Sequence, residues 1–140
     1  MALALHAGDV EQSMRISQRI LEKQANDAQA HVTMGQSLAA RGDNQLALEH
    51  LERATQLAPG RAEPWLALAA LYQQQGLGYK ALDTLRAAAH TAPELYEIQL
   101  ALGETYLTEN APTQALAALR TAGRLLSESV IGDVPSSTSI

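Results

Sequence analysis

The chain repeats itself every 34 residues, and few folds allow that. Set against itself at this offset, Gly8, Gly42, Gly76 and Asn110 share a column. Gly and Asn tolerate a left-handed backbone, so a tight turn is expected at the same point of each unit. Other columns run in the same phase: Ala47, Ala81 and Ala115, then Leu51, Leu85 and Leu119, then Ala54, Ala88 and Ala122, with Pro59 and Pro93 beyond. Upstream, Met34, Leu68 and Leu102 stand beside the small residues Gly35, Ala69 and Gly103, and Leu38, Tyr72 and Tyr106 follow.

Within a unit the spacing predicts two helices. Trp65, Leu68, Ala69 and Tyr72 fall at i, i+3, i+4 and i+7, one apolar stripe. Ala81, Leu82, Leu85 and Ala88 form the stripe of a second helix. Pro64 and Pro112 suit a first helical turn, where a missing N–H loses no partner. Pro59 and Pro93 lie past the second helices and stop them. Asp43 and Asp9 are expected as N-caps, Asp9 with Gln12 as a weak capping box. Gly35, Ala69 and Gly103 leave room for the Ala47, Ala81 and Ala115 faces, so that paired axes come close.

These columns resemble the tetratricopeptide repeat. The family's pattern of Trp, Leu-Gly, Tyr, Ala, Phe and Pro is met by Trp65, Leu68-Ala69, Tyr72, Ala81, Leu85 and Pro93. The preceding unit supplies His31, Met34-Gly35, Leu38, Ala47, Leu51 and Pro59. The following one supplies Gln99, Leu102-Gly103, Tyr106, Ala115 and Leu119, with Ser127 in place of Pro. Ser13 and Ser17 weaken the Ala and Leu columns of the first unit. The resemblance implies an all-α, right-handed superhelical solenoid of antiparallel helix pairs, about three and a half repeats long. Its parts would be a partial repeat over 1–27, repeats over 28–61, 62–95 and 96–131, the last with an extended helix, and a disordered tail over 132–140.

Chemistry is thin. The absence of Cys removes disulfides, thiolate metal sites and thiol catalysis. The imidazoles His6, His31, His50 and His90 have no second His at helical spacing, and no H-E-x-x-H occurs. His31 stands in the column of Trp65 and Gln99, which favours packing, while the others read as exposed helix positions. Gly76-Leu77-Gly78 is an interhelical turn and not a phosphate cradle. Glu49/Glu52 and Glu94/Glu97 read as solvated outer faces or helix starts. No catalytic residue, cofactor site or metal site is expected. Trp65, Tyr72 and Tyr106 stand in packing columns, which leaves Tyr79 and Tyr96 freer to meet a partner. A net charge of −5 argues against nucleic acid, and no run approaches the length of a membrane span. A cytoplasmic chain is expected; a lack of Cys suits the periplasm equally.

The ends lack polar caps. Met1 begins midway through a first helix, and Leu125 and Leu126 continue the last one, so a segment of a larger protein or assembly is expected, either cut from a longer array or with its first face covered by something else. Self-association through these ends, with Leu3 and Leu5 on the other side, is expected.

The resemblance implies a non-catalytic interaction module, a scaffold or adaptor. The rival is an auxiliary substrate-recognition or assembly segment of a larger enzyme or secretion machine, which an adjoining catalytic domain would reveal. In the family the first helix of each repeat lines a concave groove. The corresponding residues are Gln29, Val32, Gln36, Ala39 and Ala40, then Glu63, Leu66, Ala70, Gln73 and Gln74, then Glu97, Leu100, Glu104, Leu107 and Thr108. Adaptors of this family that clamp acidic chaperone tails use Lys, Arg and Asn there. None occurs at these positions, and an acidic ligand would meet Glu63, Glu97 and Glu104 unpaired. The apolar strip of Val32, Leu66, Leu100 and Leu107 suits an amphipathic helix or extended peptide carrying Lys or Arg. The alternative is that these Glu are only solvated and the convex face does the binding.

Overall fold

The computed structural model describes residues 7–132. Among the described residues seven helices follow one another: α1 (Ala7–Lys23), α2 (Ala28–Arg41), α3 (Asn44–Leu57), α4 (Ala62–Gln74), α5 (Gly78–Thr91), α6 (Tyr96–Thr108) and α7 (Pro112–Gly132). Each packs on its successor, and α2, α4 and α6 also touch one another side by side. Among the described residues α1, α3, α5 and α7 make no such lateral contacts. The even helices are therefore drawn together and the odd ones splay apart. That asymmetry bends the stack, with α2, α4 and α6 on its inner side.

The turns within pairs are three copies of one device. Gly42, Gly76 and Asn110 have φ of 89°, 76° and 60°. At each, two backbone N–H groups reach back over the helix end: Gly42 to Ala39 O and Asp43 to Leu38 O, at 3.0 and 2.9 Å. Gly76 and Leu77 do the same with Gln73 and Tyr72, as do Asn110 and Ala111 with Leu107 and Tyr106. This is the Schellman closure, which satisfies the last carbonyls of the helix. The next helix then starts at once, with Ala47, Ala81 and Ala115 donating to the residue just past the turn.

Gly8 departs from its column. It lies within α1 and has no positive φ, because the helix continues through it and does not end there. Asp9 likewise sits inside that helix and is not an N-cap. Asp43 occupies the cap position of α3 without a side-chain bond, its carboxylate lying 3.4 Å from Arg41 instead. The cap that does form is Asp27, which accepts from Ala30 N at 2.9 Å at the start of α2. Gly132 belongs to α7, and the rest of the expected tail lies outside the described residues, as do His6, Leu3 and Leu5.

The core follows the columns. Ala47, Ala54, Ala81 and Ala88 are completely buried and Leu51 and Leu85 nearly so. A Cβ on Gly35 would come within 2.6 Å of Leu51 Cγ and 3.2 Å of the Ala47 carbonyl, so a hydrogen at this position is what lets α3 lie so close. Trp65, Tyr72 and Tyr106 pack partly buried against the core. Tyr79 stands exposed, whereas Tyr96 is half-buried. At the C-terminal end Leu126 is exposed and Leu125 half-buried.

Candidate functional site: the inner face of α4 and α6

Small side chains on facing helices leave space. Ala69 and Ala70 of α4 and Ala101 of α6 floor a concavity of about 480 Å³, walled by Leu66, Gln73, Glu104 and Thr108. One hydrogen-bond chain crosses it. Gln73 Nε2 donates to Thr105 Oγ1 at 2.8 Å, and that hydroxyl donates to Ala101 O, also at 2.8 Å. The Thr105 hydroxyl is thus buried and satisfied, and it ties α4 to α6. Glu109 lies at the far end, its carboxylate packed against Gly78 in the first turn of α5, where the helix dipole favours negative charge.

Five of the residues expected on the inner face meet in this hollow: Leu66, Ala70, Gln73, Glu104 and Thr108. Gln36 and Glu97 are exposed but do not line it, and Leu100 and Leu107 are 41% and 54% exposed beside it. Val32 is a correction. It is completely buried, within the cluster that includes Leu68 and Leu71 of α4, and lines no groove. The series Val32, Leu66, Leu100 runs from buried to half-buried to exposed because α4 covers α2 and α6 covers α4. Among the described residues no helix stacks laterally beyond α6.

The other correction concerns charge. Arg61, the residue just before α4, places a guanidinium nitrogen 3.1 Å from Glu63 and 3.2 Å from Gln29 Oε1. Glu63 is therefore not unpaired. Arg61 stands two positions before Glu63, outside the residues that the first-helix spacing selects, and only the turn before α4 carries it back over Gln29. The acidic character of this face is thereby shifted toward α6, where Glu97 and Glu104 are exposed.

The histidines hold a contact that no local spacing shows. His31 on α2 and His50 on α3 place their Nδ1 atoms 3.0 Å apart, and His31 Nε2 lies 2.9 Å from Ala25 O. Burial and then His31 hold the His50 imidazole below its ordinary pKa, against an opposing influence from Glu49. Burial, followed by Glu52, pushes the Tyr72 phenol up. Among the described residues no three His, Asp or Glu side chains gather as a metal site would require, and no helix is long and apolar enough to cross a membrane.

Residues 38–94 match the tetratricopeptide repeat family. That segment is built of tetratricopeptide repeats. Solved structures with the same arrangement include one described as MamA, with a TM-score of 0.71 at 17% identity over 88% of this chain and 72% of that one. A second MamA structure gives 0.70 at 16% identity, covering 91% and 70% of the two chains. The segment of MamA from residue 41 to the end, from Desulfovibrio magneticus RS-1, gives 0.67 at 21% identity, covering 86% and 68%. At these identities the likeness is one of fold alone: an all-α, right-handed superhelical solenoid of helix pairs. No curated protein matches the sequence. Tetratricopeptide repeats form protein-interaction scaffolds, and no enzyme family is indicated.

Proposed function

We propose that this tetratricopeptide array is a non-catalytic adaptor whose inner face, between α4 and α6, takes an amphipathic helix or extended peptide carrying Lys or Arg. The observation that carries the reading is the hollow itself. It offers apolar walls at Leu66 and the Ala floor, a carboxylate at Glu104, and no cation among its lining residues. A ligand side chain of four or five carbons ending in a positive group would bury its stem on Leu66 and Ala70 and present its charge to Glu104. Apolar burial would supply most of the affinity, while Glu104 and Glu97 would set partner choice and association rate. Arg61, held between Gln29 and Glu63, gives the α2 end of the face a different polarity, so a bound peptide would run in one direction.

A display library of random peptides selected on the full chain tests this. Enriched sequences should pair apolar residues with Lys or Arg, and Leu66→Ala and Glu104→Lys should each weaken them about tenfold or more. Enrichment of acidic peptides, or equal binding by both variants, would refute it.

A further inference from the structure

The histidine pair has a partner in the next repeat that fixes its protonation. Trp65 stands in the column of His31, and its indole Nε1 donates to Pro59 O at 3.0 Å. His31 Nε2 makes the equivalent bond to Ala25 O, the same column one repeat earlier, at 2.9 Å. An indole nitrogen can only donate, and a carbonyl can only accept. His31 therefore carries its proton on Nε2 and turns the Nδ1 lone pair toward His50, whose Nδ1–H donates across 3.0 Å. The ring centroids are 5.2 Å apart, close to that distance plus the two ring radii, so the nitrogens point straight at each other. A metal bound at roughly 2.0–2.1 Å from each nitrogen does not fit on that line. A shared proton does.

We propose that the His31–His50 bond is a proton-operated clasp, holding the turn before α2, and with it α1, against the array at neutral pH and releasing it on acidification. The first proton to enter can be shared between the rings. A second leaves two N–H groups face to face with like charges, and the bond is lost. The neighbouring groups do not remove this conflict. Glu11 and Arg15 of α1 line the hollow that reaches His50 and oppose each other in sign. Asp27 is engaged in capping α2, and Glu49 of α3 acts on His50 less than burial and His31 do. Arg53 of α3 is bound to Asn26, beside Ala25, which ties the same turn to α3. On α4, Glu63 is paired with Arg61, and Tyr72 lies next to Glu52. Because His50 is depressed on folding, the unfolded chain takes up its proton first. The pair's contribution is complete above about pH 6.5 and declines as pH falls below it, the bond itself breaking once the second proton enters.

The register supplies its own control. His31→Trp with His50→Thr transplants the residues found one repeat later, Trp65 and Thr84, and keeps the bond to Ala25 O without a titrating pair. Amide hydrogen exchange, corrected for intrinsic rates, is followed in the full chain from about pH 7.5 to about pH 5, a range that spans the His titration. In the parent, α1 amides should lose protection by about fivefold to tenfold relative to α6, the effect of one lost hydrogen bond. The double variant should show no such change. Equal loss in both proteins, or retained α1 protection in the parent, would overturn the proposal. Ring resonances that titrate as two independent, ordinary histidines would overturn it as well.

Discussion

Replacing Gly76 by Ala tests the left-handed turn without a steric clash. The backbone there has φ of 76°, and a Cβ built on it meets nothing within 4 Å, so the substitution brings no clash with a neighbour. What remains is the intrinsic cost of the left-handed region for an L-residue, about 1–2 kcal/mol. Against this, Ala narrows the unfolded ensemble and returns about 0.4–1 kcal/mol. The net expected loss is about 1 kcal/mol, or about 3–5 °C in melting temperature for a chain of this size. Gly76→Asn should lose less, because the third turn already accepts Asn at φ 60°. Asn110→Gly should be neutral or slightly stabilising for the same reason. Urea unfolding followed by circular dichroism reads all three. If Gly76→Ala melts with the parent, or if Gly76→Asn is worse than Gly76→Ala, the turn is not closed by its left-handed residue and the argument fails.

The remaining predictions separate what is buried from what only shares a column. Val32→Ala should cost about 2 kcal/mol and Leu100→Ala under about 0.5 kcal/mol, measured by the same unfolding, since only the former lies in the core. Thr105→Val removes both hydrogen bonds of the buried hydroxyl and should cost about 1–2 kcal/mol, with faster exchange in α6 if the link to Gln73 holds the two helices. Arg61→Ala should leave stability within about 0.5 kcal/mol, because its ion pair with Glu63 is half exposed. It should still raise binding of basic peptides selected on the parent, as titration calorimetry would show.

The periodicity of the chain determined much by itself. A left-handed residue, a small-residue face and an Ala-Leu stripe recurring in one phase leave helix pairs as the economical solution, because each requirement is local to a turn or to one helix pair. Gly42, Gly76 and Asn110 close their helices as their residue types demand. Gly8, of the same type, does not, because α1 runs on through it. The inner face was legible only in part. Leu66, Ala70, Gln73 and Glu104 meet in one hollow, but the same spacing placed Val32 beside them, since a column records the position on a helix and not what covers it. Stacking α4 over α2 decided that. Arg61 reaches Gln29 across a turn from 32 residues away, and His31 meets His50 across 19. Neither pair has a helical period. They exist because consecutive helices are folded back on one another, and only that packing chooses which distant side chains share a charge or a proton.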